Sequence, residues 1–144
     1  MSDVTTASAI VRFTEELQDA SARFYRELAA TYPQHGAALE GYARRCERDK
    51  TQLVRTYRET VTDALETNYS FSGIAVPEEL TRPVAPADDW DAAKAQAVAL
   101  EEGAAAFYTT VAEQAAALLA TIPRAYRRVA TRRREQAAAW RALA

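Results

Sequence analysis

The chain has little of what most catalytic sites are built from: one cysteine (Cys46), one histidine (His35), four glycines and two lysines in 144 residues. A lone cysteine excludes a disulfide framework and a cysteine-based zinc site. A lone histidine excludes paired-histidine zinc sites, histidine-rich iron clusters and most acid–base triads. Scarce glycine argues against a turn-rich β fold. No apolar run approaches the roughly 18 residues that a membrane-spanning helix needs. The N-terminal Met1-Ser2-Asp3-Val4-Thr5-Thr6 carries neither a basic nor an apolar signal region, so a cytoplasmic protein is expected.

What is present is alanine, 33 residues, and arginine, 16 residues, within a composition 49% apolar and 26% charged. Alanine is the strongest helix former, so the expected class is all-α, and the length suits one domain spanning 1–144. The net charge of −2 hides two poles. Residues 59–102 hold ten acids against Arg82 and Lys94, and residues 120–144 hold seven arginines against Glu135. A near-neutral total gives no general attraction to nucleic acid.

Apolar residues recur in steps of three and four, the period of a helical stripe. The first stripe runs Ile10, Phe13, Leu17, Ser21, Phe24, Leu28 and stops at Tyr32-Pro33, where proline opposes further helix. The second follows the Gln34-His35-Gly36 turn through Leu39, Tyr42, Cys46, Asp49, Leu53, Tyr57, Val61 and Ala64. The third starts after a cap at Asp88 and includes Trp90, Ala93, Ala97, Leu100, Ala104, Phe107, Val111, Ala115 and Leu118. The fourth starts at Thr121, with Pro123 in its first turn, and continues through Tyr126, Ala130, Arg133, Ala137 and Trp140.

These stripes predict helical hairpins over about 6–66 and 88–143, joined by a connection over about 67–87. A segment of some 20 residues can reach about 65 Å, and a 30-residue helix is about 45 Å long. The connection can therefore return along the whole bundle. Tyr69, Phe71, Ile74, Val76 and Leu80 give it apolar groups with which to pack, the alternative being a loose linker between two hairpins.

The halves share a local pattern: Gln18 precedes Phe24-Tyr25 by six residues, and Glu101 precedes Phe107-Tyr108 by six. With the helix layout and the long connection, this pattern resembles the rubrerythrin-like branch of the ferritin-like superfamily. The resemblance implies an antiparallel four-helix bundle with one long crossover between helices 2 and 3. It also implies a di-iron site made of one Glu from each of two helices and a Glu-x-x-His from each of the others.

Position by position, that site is degenerate. Gln18 stands where the first Glu is expected, and Glu101 is retained. The nearest match in the second helix is Glu47-Arg48-Asp49-Lys50, although the stripe itself turns Cys46 and Asp49 inward. The fourth helix offers Glu135 through Ala138 or, one face over, Arg133 through Gln136. Histidine is absent from both pairs, and His35 lies in a hairpin turn. The expected vestigial positions are Gln18, Glu47, Lys50, Glu101, Arg133 and Glu135, with Lys50 or Arg133 compensating Glu47 or Glu101.

No cofactor and no catalytic residue is then expected, and the chain would act by association, as a homodimer or with a protein partner. The competing reading is a rubrerythrin-like peroxide- or oxygen-reducing enzyme using iron or manganese on Glu47, Glu101 and Glu135. A third is anion or nucleic-acid binding by the arginine-rich fourth helix, against which stands the lack of interleaved aromatics. Cys46 reads as a small core residue, and Gly103 either as a point of close approach, including at a dimer contact, or as a tolerated surface glycine.

Overall fold

The computed structural model describes residues 3–60, 70–115 and 121–142, with side chains over 9–56, 74–114 and 124–142. Four long helices make up most of it: α1 (Ala7–Thr31), α2 (Gly36–Thr60), α3 (Trp90–Ala115) and α4 (Thr121–Ala142). The class is all-α, as the alanine content requires. Tyr57, Val61, Ala64, Tyr69, Phe71, Ala115 and Leu118 lie outside the described side chains, as do Thr121 and Pro123.

Ion pairs and hydrogen bonds set the helix directions. Lys50 pairs with Asp19 and Arg26 with Glu40 and Glu47, so α1 and α2 are antiparallel. Arg134 bonds Thr109 and Arg141 pairs with Glu102, so α3 and α4 are antiparallel too. Tyr25 meets Glu101 and Gln18 meets Tyr108, which runs α3 against α1. Helices α2 and α3 therefore point the same way, and the chain between them must traverse the bundle.

The described part of that crossover does so. Strand β1 (Asp3–Thr6), just before α1, pairs antiparallel with β2 (Ser70–Ala75) at one end of the bundle. At the other end the Tyr32 hydroxyl donates to the Ala87 carbonyl. Between them Ile74 and Val76 are buried in the core and Leu80 packs against it, as the apolar pattern predicted. The two strands were not foreseen; Asp3–Thr6 is too short and polar to announce a strand, and the ribbon leaves the class unchanged. The third helix is also capped one residue later than expected. Asp89 Oδ1 accepts from the Asp91 and Ala92 amides, which makes Asp89, not Asp88, its N-cap.

All six members of the first stripe are buried, and so are all five members of the fourth, Arg133 included. Each fully buried leucine, such as Leu17, Leu28, Leu39 or Leu53, contributes roughly 1.5–3 kcal/mol of burial free energy. Gly103 faces the crossover, since a Cβ there would lie 3.0 Å from Leu80 Cδ1. The close approach is thus made by the chain's own strap. Gly103→Ala is expected to leave stability nearly unchanged, because the helix-propensity gain of about 1 kcal/mol is offset by crowding of Leu80; denaturant unfolding measures it.

Candidate functional site

The polar side chains that enter the core converge at mid-bundle. Arg133 projects from α4 with only 3% of its surface exposed, and its Nη1 pairs with Glu101 Oε1 on α3. Its Nη2 donates to Gln18 Oε1 at 2.8 Å and to Ser21 Oγ at 3.0 Å, both on α1. The Tyr25 hydroxyl donates to the second Glu101 oxygen at 2.7 Å. The Tyr108 hydroxyl donates to Gln18 Oε1 at 2.6 Å, and Gln18 Nε2 reaches the Cys46 carbonyl of α2 at 2.8 Å. One connected network therefore touches all four helices.

A second pair lies beside it. Arg132 forks onto Asp49 of α2, with Nη2 to Oδ1 at 2.5 Å, and also bonds Gln52. Gln136, one turn beyond, accepts from Arg45, and its Nε2 is buried without a partner. So is Arg133 Nε. Such orphaned donors cost free energy that a fully satisfied network would not.

Burial opposes the Arg133 charge more than any single neighbour favours it, but Glu101 together with Cys46, Tyr108 and Tyr25 outweighs it, and the guanidinium titrates well above its usual range. Burial first, then the neighbouring Glu101 charge, pushes the Tyr25 phenol up. Burial likewise raises Tyr108, against the pull of Arg133. The Cys46 thiol is pushed up to about 11, chiefly by burial. It is thus an inert core thiol at neutral pH, with no resolving cysteine in the chain.

These shifts give alkaline pH a definite sign. In the unfolded chain Cys46 ionises near its ordinary value of 9.0, whereas the fold holds the proton until about 11. The associated stabilisation is complete below pH 9 and is lost as pH rises towards 11. Tyr25 and Tyr108 act in the same direction at higher pH. The melting temperature is expected to fall over that interval, and Cys46→Ala should remove its first part; a flat profile would contradict it.

The structure sorts the expected site residues into two groups. Gln18, Glu101 and Arg133 meet at the centre. Glu47, Lys50 and Glu135 do not: Glu47 is exposed and pairs with Arg26, Lys50 pairs with Asp19 at the surface, and Glu135 is exposed on α4. Aligning a Glu-x-x-His pattern onto Glu47 and Lys50 was misleading because a shift of one residue turns a helical side chain by about 100°. The inward pair in α2 is Cys46 and Asp49, as its stripe indicated, and in α4 it is Arg133 and Gln136.

The residues present do not fit iron or manganese. The carboxylates Glu47, Glu101 and Glu135 are not brought together, and both oxygens of Glu101 are engaged by Arg133 and Tyr25. Among the described residues no cluster of three or more His, Cys, Asp or Glu could hold a metal ion. The Arg133 guanidinium lies against Glu101, and like charges exclude one another.

Arginines of α4 are largely committed within the chain: Arg132, Arg133, Arg134 and Arg141 all have partners. Arg132 is paired with Asp49 of α2, whereas Arg133, Arg134 and Arg141 meet α3. His35 stacks on Trp90 with ring centroids 4.1 Å apart, far from the centre. Among the described residues no helix is long and apolar enough to cross a membrane.

Fold and site together define an all-α four-helix protein with a buried arginine–glutamate centre. Comparison with protein-family models, with curated proteins and with solved structures found no match in any of the three.

Proposed function

We propose that the chain is a ferritin-like bundle in which a buried ion pair has replaced a di-metal centre and whose role is association, not redox catalysis. The observation that carries this reading is Arg133, whose guanidinium is buried against the Glu101 carboxylate. Supporting it are the parallel run of α2 and α3 across a long crossover and the six inward positions of the centre. Those positions hold Gln18, Cys46 with Asp49, Glu101, and Arg133 with Gln136, all buried. A di-iron bundle would need Glu, Glu-x-x-His, Glu and Glu-x-x-His at inward positions of this kind.

With both Glu101 oxygens bonded internally, the centre presents no free base, nucleophile or metal ligand, and the outer surface is left to carry function. A homodimer or a complex with a protein partner is the corresponding assembly. Metal analysis of protein produced with supplemental iron and manganese and purified without an affinity tag is expected to give far less than one equivalent. Sedimentation is expected to give a dimer for the isolated chain. Stoichiometric metal would instead support the peroxide- or oxygen-reducing reading and overturn this one.

A further inference from the structure

A pocket of about 300 Å³ opens between α1, α3 and the crossover, and none of the residues of the arginine–glutamate network lines it. Its lining is almost wholly apolar, with Phe24 and Ala20 from α1, Ala99 and Leu100 from α3, and Leu80 and Val84 from the crossover. Val84 is 46% exposed, the one large apolar side chain so exposed among the described residues.

The outer wall is held in place from three directions. Leu80 lies against the bare face of Gly103. The Gln96 side chain accepts from the Ala87 amide at 2.8 Å and donates to the Ala85 carbonyl at 3.2 Å. Tyr32 donates to the Ala87 carbonyl from the opposite side. The strap is thus pinned at Leu80 and again at Ala85 and Ala87, as a preformed wall requires.

The rim is charged but balanced, two arginines (Arg23, Arg82) against two glutamates (Glu27, Glu79), so it selects neither an anion nor a cation. We infer that this pocket binds a small uncharged apolar molecule, of the size of a two-ring aromatic. The size follows from volume: a dry apolar cavity of about 150 Å³ takes one benzene ring, and this one has about twice that space. Burying an apolar surface against such walls gives binding with a negative heat-capacity change.

Titration of the full chain with naphthalene, followed by calorimetry and by amide and methyl NMR shifts, tests the proposal. Saturable binding is expected, with shifts centred on Phe24, Leu80 and Leu100, and with 1-naphthoate and 1-naphthylmethylammonium binding no more tightly. Ala99→Phe, which fills the pocket from a helix surface position, should weaken binding at least tenfold while the melting temperature holds. If that variant loses its fold, Val84→Phe fills the same space from the strap. Absence of binding up to the solubility limit overturns the proposal, as does binding indifferent to both substitutions. Tighter binding of either charged analogue also overturns it. So does a dimer that dissociates on Ala99→Arg and competes with naphthalene, which would give the pocket to a second copy of the chain.

Discussion

Replacing Glu101 by leucine is expected to cost about 3–5 kcal/mol, because it leaves the Arg133 guanidinium buried without its counter-charge. For a domain of this size that is a fall in melting temperature of about 10–15 °C. The companion double variant, Glu101→Leu with Arg133→Met, should recover most of the loss, since the desolvation cost of both charges disappears with them. A double-mutant cycle by denaturant unfolding separates the pair's coupling from loss of packing. Lys50→Ala and Glu47→Ala set the scale: their ion pairs are largely solvated, and each should cost less than about 1 kcal/mol. A Glu101→Leu protein as stable as the parent would mean that Arg133 finds water, and the central pair would lose its importance.

Gln18→Leu is expected to cost about 3 kcal/mol, although leucine fills nearly the same volume. Three groups lose their partner at once: the Cys46 carbonyl, the Tyr108 hydroxyl and one donor of Arg133 Nη2. Gln18→Glu should cost less, because a carboxylate still accepts from Tyr108 and Arg133, although it forfeits the bond to Cys46 and adds a second buried acid beside Glu101. The comparison isolates the acceptor half of the amide from its donor half. Equal losses in the two variants would shift the weight onto the Cys46 carbonyl, and with it onto the contact between α1 and α2.

Much of this was legible because a helix has a fixed period. Arg133 falls between Ala130 and Ala137 on an otherwise apolar stripe, and Asp49 falls between Cys46 and Leu53; both are buried, and both are polar for a reason. Tyr32-Pro33 ends α1 where the proline dictates, and Ile74, Val76 and Leu80 of the crossover pack where the pattern placed them. What the period does not contain is how one helix is rotated and shifted against the next. That is why Glu101 and Glu47 were both open as partners for Arg133 and Lys50, and why Arg132 with Asp49 went unnoticed. The register of α2 was available from its stripe and was obscured only where it was matched against Glu-x-x-His. The ribbon of β1 and β2 rests on pairing between residues about 70 positions apart, which local propensity does not encode.

Alanine-rich helix faces are smooth, and sliding one past another by a single turn of about 5.4 Å replaces one alanine contact with a similar one. Arg133 admits no such slide. Its fork is matched to Glu101 on one neighbour and to Gln18 and Ser21 on another, and Gln18 in turn is fixed to the backbone of α2. A one-turn slip would strand all of these groups together, so the penalty is collective and adds to that of displacing the buried rings. The centre therefore acts as an alignment key: it holds the helices to one vertical setting, which the strap and its pocket need if Leu80 is to meet Gly103.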